Sequence, residues 1–315
     1  MGGPIVRVLI AEDDAASRLT LESWFRRWNY EVVSCRDGSE AWQQLSGIDA
    51  PPLIVLDWMM PGVDGVELCK RIRARTDVPY AYVIMVSGRA RRVDIVDGLE
   101  AGADDYVTKP IDLHELQARV RTARRILDLH AALYAAGEEL RIQATRDPLT
   151  GLLNHGESLV VLSRELERGQ RESRPTAVIM ADVDHFKEIN DLHGHAVGDI
   201  VLKETASRLA GALRPYDSIG RYGGEEFLIV LSGAAGDTAF QLGERLRQCI
   251  AERPVPVADA QIGITISVGV ATQQLSQPID AGLLIRAADA ALYRAKRGGR
   301  NRTEIASTER ELQSP

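Results

Sequence analysis

Arg221-Tyr222-Gly223-Gly224-Glu225-Glu226-Phe227-Leu228-Ile229-Val230 sets a glycine pair, two acids and an apolar run in direct succession. A Gly-Gly pair between extended-favouring residues is the composition of a two-residue hairpin turn, with φ > 0 expected at both central positions. Such a turn holds Glu225 at a sheet edge beside bare glycine backbone, where a bulky anionic ligand has room. Earlier in the chain, Thr176-Ala177-Val178-Ile179-Met180-Ala181-Asp182-Val183-Asp184 reads as a buried strand ending in acid. If the two strands are neighbours, Asp182 and Glu225 share one spot. Paired carboxylates with no base between them suit a hard divalent cation, above all Mg²⁺ carrying substrate phosphates. Taken alone, Gly-Gly-Glu-Glu-Phe also suits an ordinary hairpin with solvated acids.

The 315 residues suit two domains of ordinary size, each able to bury a core. Hydrophobic content of 45% and charged content of 26% describe a soluble globular protein. A net charge of −7 argues against a sequence-independent nucleic-acid binder, while leaving room for a local basic pocket. No apolar run is long enough for a membrane helix, and the start shows no secretory signal. Cys35, Cys69 and Cys249 are widely spaced without a Cys-x-x-Cys, as expected of reduced thiols in a cytoplasmic protein. The histidines lack metal-ligand spacing.

Residues 1–125 alternate short apolar strands (Ile5–Ile10, Glu31–Ser34, Leu53–Asp57, Tyr82–Ser87, Asp105–Thr108) with amphipathic helical stretches. This predicts an α/β domain with a five-stranded parallel, doubly wound sheet, whose working site lies beyond the carboxyl ends of the strands. Those ends carry Glu12 and Asp13, Asp57, Ser87 and Lys109. Converging carboxylates repel unless a cation or the Lys109 ammonium sits among them. A lone acid at a strand end is usually a helix cap; a full set at matching ends is not. This set, with Lys109-Pro110 and Asp57-Trp58-Met59-Met60-Pro61-Gly62, resembles the receiver domain of two-component response regulators. The resemblance implies Asp57 as phosphoacceptor and one Mg²⁺ on Glu12, Asp13, Asp57 and the Met59 carbonyl. It also implies Lys109, Ser87 and Tyr106 as switch residues, and a cognate histidine kinase or phosphotransfer protein as partner.

Leu113, Leu116, Val120, Ala123, Leu127 and Tyr134 recur at roughly heptad spacing, with Ile126, Leu129, Leu133 and Leu140 on an adjoining stripe. A long helix over 112–146 is therefore expected, its linker part (126–146) offering a coiled-coil seam to a second copy, with Gly137 as a possible bend. The alternative is a helix packed on its own chain. Arg119, Arg121, Arg124 and Arg125 read as a salt-bridged face rather than a nucleic-acid site.

Residues 147–305 predict an α+β domain with an antiparallel-rich central sheet flanked by helices, followed by a tail over 306–315. Strands are expected at Thr176–Asp184, through the hairpin Ser218–Ser232, and at Gln261–Ala271. No Gly-x-x-x-x-Gly-Lys or Gly-x-Gly-x-x-Gly loop occurs, so metal and scattered cations must handle any phosphates. Arg221–Phe227, preceded by Asp182-Val183-Asp184-His185-Phe186-Lys187-Glu188-Ile189-Asn190-Asp191 and Gly194-His195-Ala196-Val197-Gly198-Asp199, closely resembles the GGDEF family of diguanylate cyclases.

That resemblance implies two Mg²⁺ ions on Asp182, the Val183 carbonyl, Glu225 and Glu226, with Glu225, Glu226 and Lys187 in the chemistry. Asn190 and Asp199 would read the guanine of GTP, Phe186 would be a further substrate-binding residue, and Lys296 and Arg300 would grip the terminal phosphates. Arg214-Pro215-Tyr216-Asp217 matches an Arg-x-x-Asp inhibitory site for the product cyclic di-GMP, with Arg245 as a weaker second contact. His155 stands where the family usually has Arg. The implied function is a phosphorylation-controlled, homodimeric diguanylate cyclase under product feedback. The rival is a silent module that senses cyclic di-GMP or GTP; neither reading calls for nucleic acid or membrane insertion.

Overall fold

The computed structural model describes residues 6–306 apart from 48, 77, 90, 258–259 and 274–279. The first five residues and nearly all of the expected tail thus lie outside the described residues. The chain divides into two compact units between Gly137 and Glu138.

In the first unit, five strands alternate with five helices: β1 (Val6–Ala11), α1 (Ala15–Arg27), β2 (Tyr30–Cys35), α2 (Gly38–Leu45), β3 (Leu53–Asp57), α3 (Gly65–Arg73), β4 (Tyr82–Ser87), α4 (Arg92–Glu100), β5 (Asp105–Thr108) and α5 (Leu113–Thr145). All strand pairs are parallel, in the order β2-β1-β3-β4-β5. The apolar strands bury both faces, as covered parallel sheets do. Val8 and Ile10 pack with Leu21 and Phe25 of α1 and Leu116 and Val120 of α5. Leu9 and Ala11 pack with Leu45, Leu68 and Ile72 of α2 and α3 on the other side. Asp14, Asp37 and Asp64 cap helices, which separates them from the acids at the strand ends. Burial pushes the Cys35 thiol up to about 12 and the Cys69 thiol to about 11, so both stay protonated core residues.

The helix α5 runs without interruption through Gly137. Its stripe divides. Leu116, Val120, Ala123 and Leu127 are buried in the first unit's own core. Leu129, Leu133, Tyr134, Leu140 and Ile142 are exposed. The earlier half of the predicted seam is thus used up by intrachain packing.

The second unit continues with α6 (His155–Glu172), β6 (Thr176–Val183), α7 (Phe186–His193), α8 (His195–Gly211), β7 (Ser218–Arg221), β8 (Glu226–Ser232), α9 (Gly236–Ala251), β9 (Val255–Val257), β10 (Ala260–Ile262), β11 (Ile266–Thr272), α10 (Ala281–Arg297) and β12 (Thr303–Ile305). Its main sheet runs β12-β11-β6-β8-β7, antiparallel except where β12 joins β11. The stretch expected as one strand over Gln261–Ala271 is two: β10 pairs with β9 in a separate ribbon, and β11 enters the main sheet. Gly263 stands between those two strands. β12 follows the final helix, where the sequence pattern suggested only a helix end.

All eight residues of β6 are buried. Ala177, Ile179, Ala181 and Val183 pack toward α8 and α9; Val178 and Met180 pack toward α6 and α10. Strand alternation therefore turns Asp182 toward α10. The fit of α10 on the sheet is close: a Cβ on Gly269 would lie 2.1 Å from the Ala288 carbonyl oxygen and 2.3 Å from the Leu292 nitrogen. Gly269→Ala is expected to destabilise this unit by about 3 kcal/mol through overpacking. A lower urea midpoint for amide protection in β11, with the first unit unchanged, checks it.

Candidate active site

β6 and β8 pair in a register that sets Asp182 opposite Glu226. The Val183 N–H donates to the Glu225 carbonyl at 3.3 Å. One strand end and one hairpin tip thereby bring Asp182, Glu225 and Glu226 together. Asp182 is 4% exposed, and Lys296 Nζ, on the last turn of α10, lies 2.7 Å from its Oδ2. Burial pushes the Asp182 carboxyl up to about 6; Lys296 opposes the shift, and the charges of Glu225 and Glu226 add to it. A buried acid flanked by two others is a centre of cation demand, and Lys296 meets part of that demand.

The hairpin differs from the expected turn. Tyr222 N–H donates to the Glu226 carbonyl at 2.8 Å, leaving Gly223, Gly224 and Glu225 as a three-residue connection. Neither glycine has positive φ. Their role is space: a Cβ on Gly223 would meet Glu226 Oε2 at 2.5 Å, while one on Gly224 would meet nothing within 4 Å. Gly224 thus leaves open backbone beside Glu225.

The turn is clamped by a residue to which sequence reasoning gave no role. Arg221 donates from Nε and Nη2 to the Gly224 carbonyl at 3.0 and 2.7 Å, and its Nη1 lies 3.1 Å from Asp147 Oδ2. Asp147 also accepts from the Thr150 N–H and hydroxyl at 2.8 and 2.7 Å. Burial opposes ionisation of Asp147, but these hydrogen bonds and the Arg221 charge prevail and lower its pKa. His155, the departure from the family pattern, packs its ring 4.5 Å from that of Tyr222. The only sequence signal for this clamp was the Asp147-Pro148-Leu149-Thr150 motif, whose partner lies seventy-odd residues away.

Phe186 is buried at the start of α7, and Lys187 beside it is exposed. Asn190 packs against Gly198, where a Cβ would come within 2.0 Å of its Oδ1. Asp199 is exposed in the next turn of α8, and Arg300 is exposed in the turn after α10. Farther along the chain, Arg214, Asp217 and Arg245 line one cavity of about 280 Å³. Asp217 Oδ2 accepts the Arg214 N–H at 3.1 Å, and Arg245 donates to the Ala212 carbonyl at 2.8 Å. Arg214 also borders a second cavity with Arg168 and Arg174.

In the first unit, oxygens of Glu12, Asp13 and Asp57 lie within 4.8 Å of one another. Lys109 Nζ bridges Glu12 Oε1 at 2.8 Å and Asp57 Oδ2 at 3.0 Å. Burial raises the Glu12 pKa against the Lys109 hydrogen bond, and Asp57 raises it further. Glu12 Oε2 is buried without a hydrogen-bond partner, so the donor set fits a divalent cation. Ser87 is buried and accepts the Arg89 N–H at 3.1 Å. Tyr106 is turned inward, its hydroxyl donating to the Arg89 carbonyl at 2.8 Å. Met59 is exposed, with Arg89 within 3.5 Å of its sulfur.

Residues 144–302 match the family model described as "Diguanylate cyclase, GGDEF domain". The chain belongs to the GGDEF family. Residues 8–121 match the response regulator receiver domain, so a receiver precedes the GGDEF unit. Response regulator PleD of Caulobacter vibrioides is 34% identical over 254 residues, covering 79% of this chain and 55% of PleD. Diguanylate cyclase DgcP of Pseudomonas aeruginosa is 37% identical over 217 residues, covering 67% of this chain and 32% of DgcP. The chain thus spans little more than half of one relative and a third of the other. The coiled coil and GGDEF domain of DgcB from Caulobacter crescentus, solved with c-di-GMP, superposes with a TM-score of 0.55 at 30% identity. That match covers 61% of this chain and 99% of the DgcB chain. Among the described residues, no helix is long and apolar enough to cross a membrane.

Arg221→Ala in this GGDEF unit is expected to cost about 1.5 kcal/mol locally, a roughly tenfold increase in opening of the hairpin. Faster amide exchange across residues 220–228 checks it. Arg221→Lys is expected not to restore protection, because an ammonium lacks the planar fork that reaches both partners.

Proposed function

We propose that the protein is a diguanylate cyclase controlled by phosphorylation of its receiver domain. It would condense two GTP into cyclic di-GMP and two pyrophosphate as a homodimer. The observation that carries this reading is the buried Asp182, held opposite Glu226 and beside Glu225 at the hairpin tip, with Lys296 drawn onto it. Family membership supports it, as does the cyclase activity named for DgcP.

Asp182, the Val183 carbonyl, Glu225 and Glu226 would hold Mg²⁺, two ions in the full site, and the donor set suits a hard cation. Such ions neutralise phosphate charge and acidify a bound hydroxyl. The chain's own residues do the rest. Asn190 and Asp199 hold guanine, whose N1–H and exocyclic amine suit the Asp199 carboxylate, and Phe186 is a further substrate-binding residue. Lys187, Lys296 and Arg300 offset charge on the phosphates, and the open backbone at Gly224 lets them approach. Glu225 assists removal of the ribose 3′-hydroxyl proton, and Glu226 supports it. The 3′-oxygen of one nucleotide bonds to the α-phosphorus of the other as pyrophosphate departs. The symmetric step closes the ring, so each domain supplies half of the site.

In the receiver, Asp57 accepts the phosphoryl group from a histidine kinase or phosphotransfer protein. Glu12, Asp13 and the Met59 carbonyl would hold one Mg²⁺ together with it. Lys109, Ser87 and Tyr106 answer the added charge, and the exposed part of α5 (within 126–146) carries the change as a dimer seam. Arg214, Asp217 and Arg245 bind cyclic di-GMP as a feedback site, since guanidinium groups suit planar, bidentate contact with guanine.

Incubating the purified full chain with GTP and Mg²⁺, with and without beryllofluoride, tests the proposal. Cyclic di-GMP and pyrophosphate are expected; binding of either nucleotide without any product would leave a sensor instead. Glu225→Gln is expected to lower turnover by about a hundredfold or more with an unchanged circular dichroism spectrum. Asp57→Asn is expected to remove the difference between beryllofluoride-treated and untreated protein, read as equal turnover in the two.

A further inference from the structure

Two acids close β6, and they have different partners. Asp182 and Asp184 are both 4% exposed. Asp182 meets Lys296. Asp184 is instead filled by neutral donors: Thr265 Oγ1 to Oδ2 at 2.7 Å, Ser267 Oγ to Oδ1 at 2.6 Å, and the Asn301 backbone N–H to Oδ2 at 3.0 Å. Its own N–H donates to the Thr265 carbonyl at 2.9 Å. One carboxylate thus ties together the end of β6, the start of β11 and the turn that follows α10.

That turn needs tying. Gly299, Arg300 and Asn301 have φ of 115°, 61° and 44°. Left-handed backbone suits glycine, is tolerated by Asn and is strained for Arg. It persists where surrounding contacts over-determine it. Arg300 N–H reaches the Ala295 carbonyl at 3.0 Å, and Arg247 donates to Asn301 Oδ1 at 2.7 Å. Asp184 holds the Asn301 backbone from the sheet side. The turn carries Arg300 and directly follows the helix end that bears Lys296.

We propose that Asp184 is a positioning residue for nucleotide phosphates. It pegs the Gly299–Asn301 turn in its left-handed form and so sets Arg300 and Lys296 at a fixed distance from Asp182. The inference rests on the cyclase reading above. Both Asp184 oxygens are engaged by donors, and through one of them the carboxylate holds the turn. A single strand end thereby supplies the site's carboxylate and, two residues on, the anchor for the cations facing it.

Conservative and truncating variants of the full chain separate the roles. An amide keeps an acceptor oxygen for the Asn301 N–H, and its NH₂ can donate to a hydroxyl. Asp184→Asn is expected to keep the KM for GTP, kcat and the Mg²⁺ half-saturation within about threefold of the parent chain. Asp184→Ala is expected to raise KM about tenfold or more with kcat within about threefold. It should also speed exchange of the Asn301 amide about tenfold. Adding Asn301→Gly, which accepts the left-handed turn without strain, should recover part of the KM loss.

Loss of turnover in Asp184→Asn with a shifted Mg²⁺ dependence would make Asp184 a ligand and overturn the proposal. Unchanged KM and unchanged Asn301 exchange in Asp184→Ala would overturn it too. If Asp184→Ala does not fold, Asp184→Asn decides. A parent chain that binds GTP but yields no product defeats the cyclase reading. In that case GTP affinity by calorimetry, together with the exchange measurement, still decides the role of Asp184.

Discussion

A carboxylate that is taken out of water must find positive charge or hydrogen-bond donors, and this chain meets that demand at the end of a fully buried strand. β6 buries apolar side chains on both faces and then ends in acid. Asp182 is matched by an ammonium from α10, and Asp184 by two hydroxyls and a backbone amide. Neither could sit there without those partners, since an unpaired buried charge costs several kcal/mol. The partners come from β11, α10 and the turn before β12. The local electrostatics therefore depend on the whole sheet being assembled, and the assembled sheet presents the site.

The receiver domain reaches the same arrangement on a different sheet. Glu12 and Asp57 end parallel strands, and Lys109 bridges them from the end of β5. Burial alone would lower the Lys109 pKa, but the hydrogen bonds and charges of both acids outweigh it and raise it. In the receiver Lys109 bridges two carboxylates from a strand end, and in the second unit Lys296 meets Asp182 from the end of α10. An acid cluster beside a lysine ammonium is the arrangement the two halves share.

Much of this was legible in the order of residue types. Alternating apolar runs and amphipathic stretches predict the parallel sheet, and acids at matching strand ends mark its working edge. The acid-ended strand and the glycine hairpin likewise predict the neighbourhood of Asp182 and Glu225. What was not legible is long-range pairing among polar groups. Arg221 with Asp147, and Asp184 with Asn301, join residues far apart in sequence, and no local period announces them. The glycine pair was misread for a physical reason: glycine serves both backbone freedom and side-chain room, and Gly223 serves the second. The heptad-like stripe on α5 was divided because a helix can spend its first turns on its own sheet and leave the rest exposed.

The strict alternation along β6 also bears on how such chains diverge. Adding or deleting one residue inside that strand would rotate every following side chain to the opposite face. Asp182 would then point among Ile179's neighbours toward α8, and an apolar residue would take its place beside Lys296. A one-residue change in length is therefore more disruptive within these eight positions than in the connections.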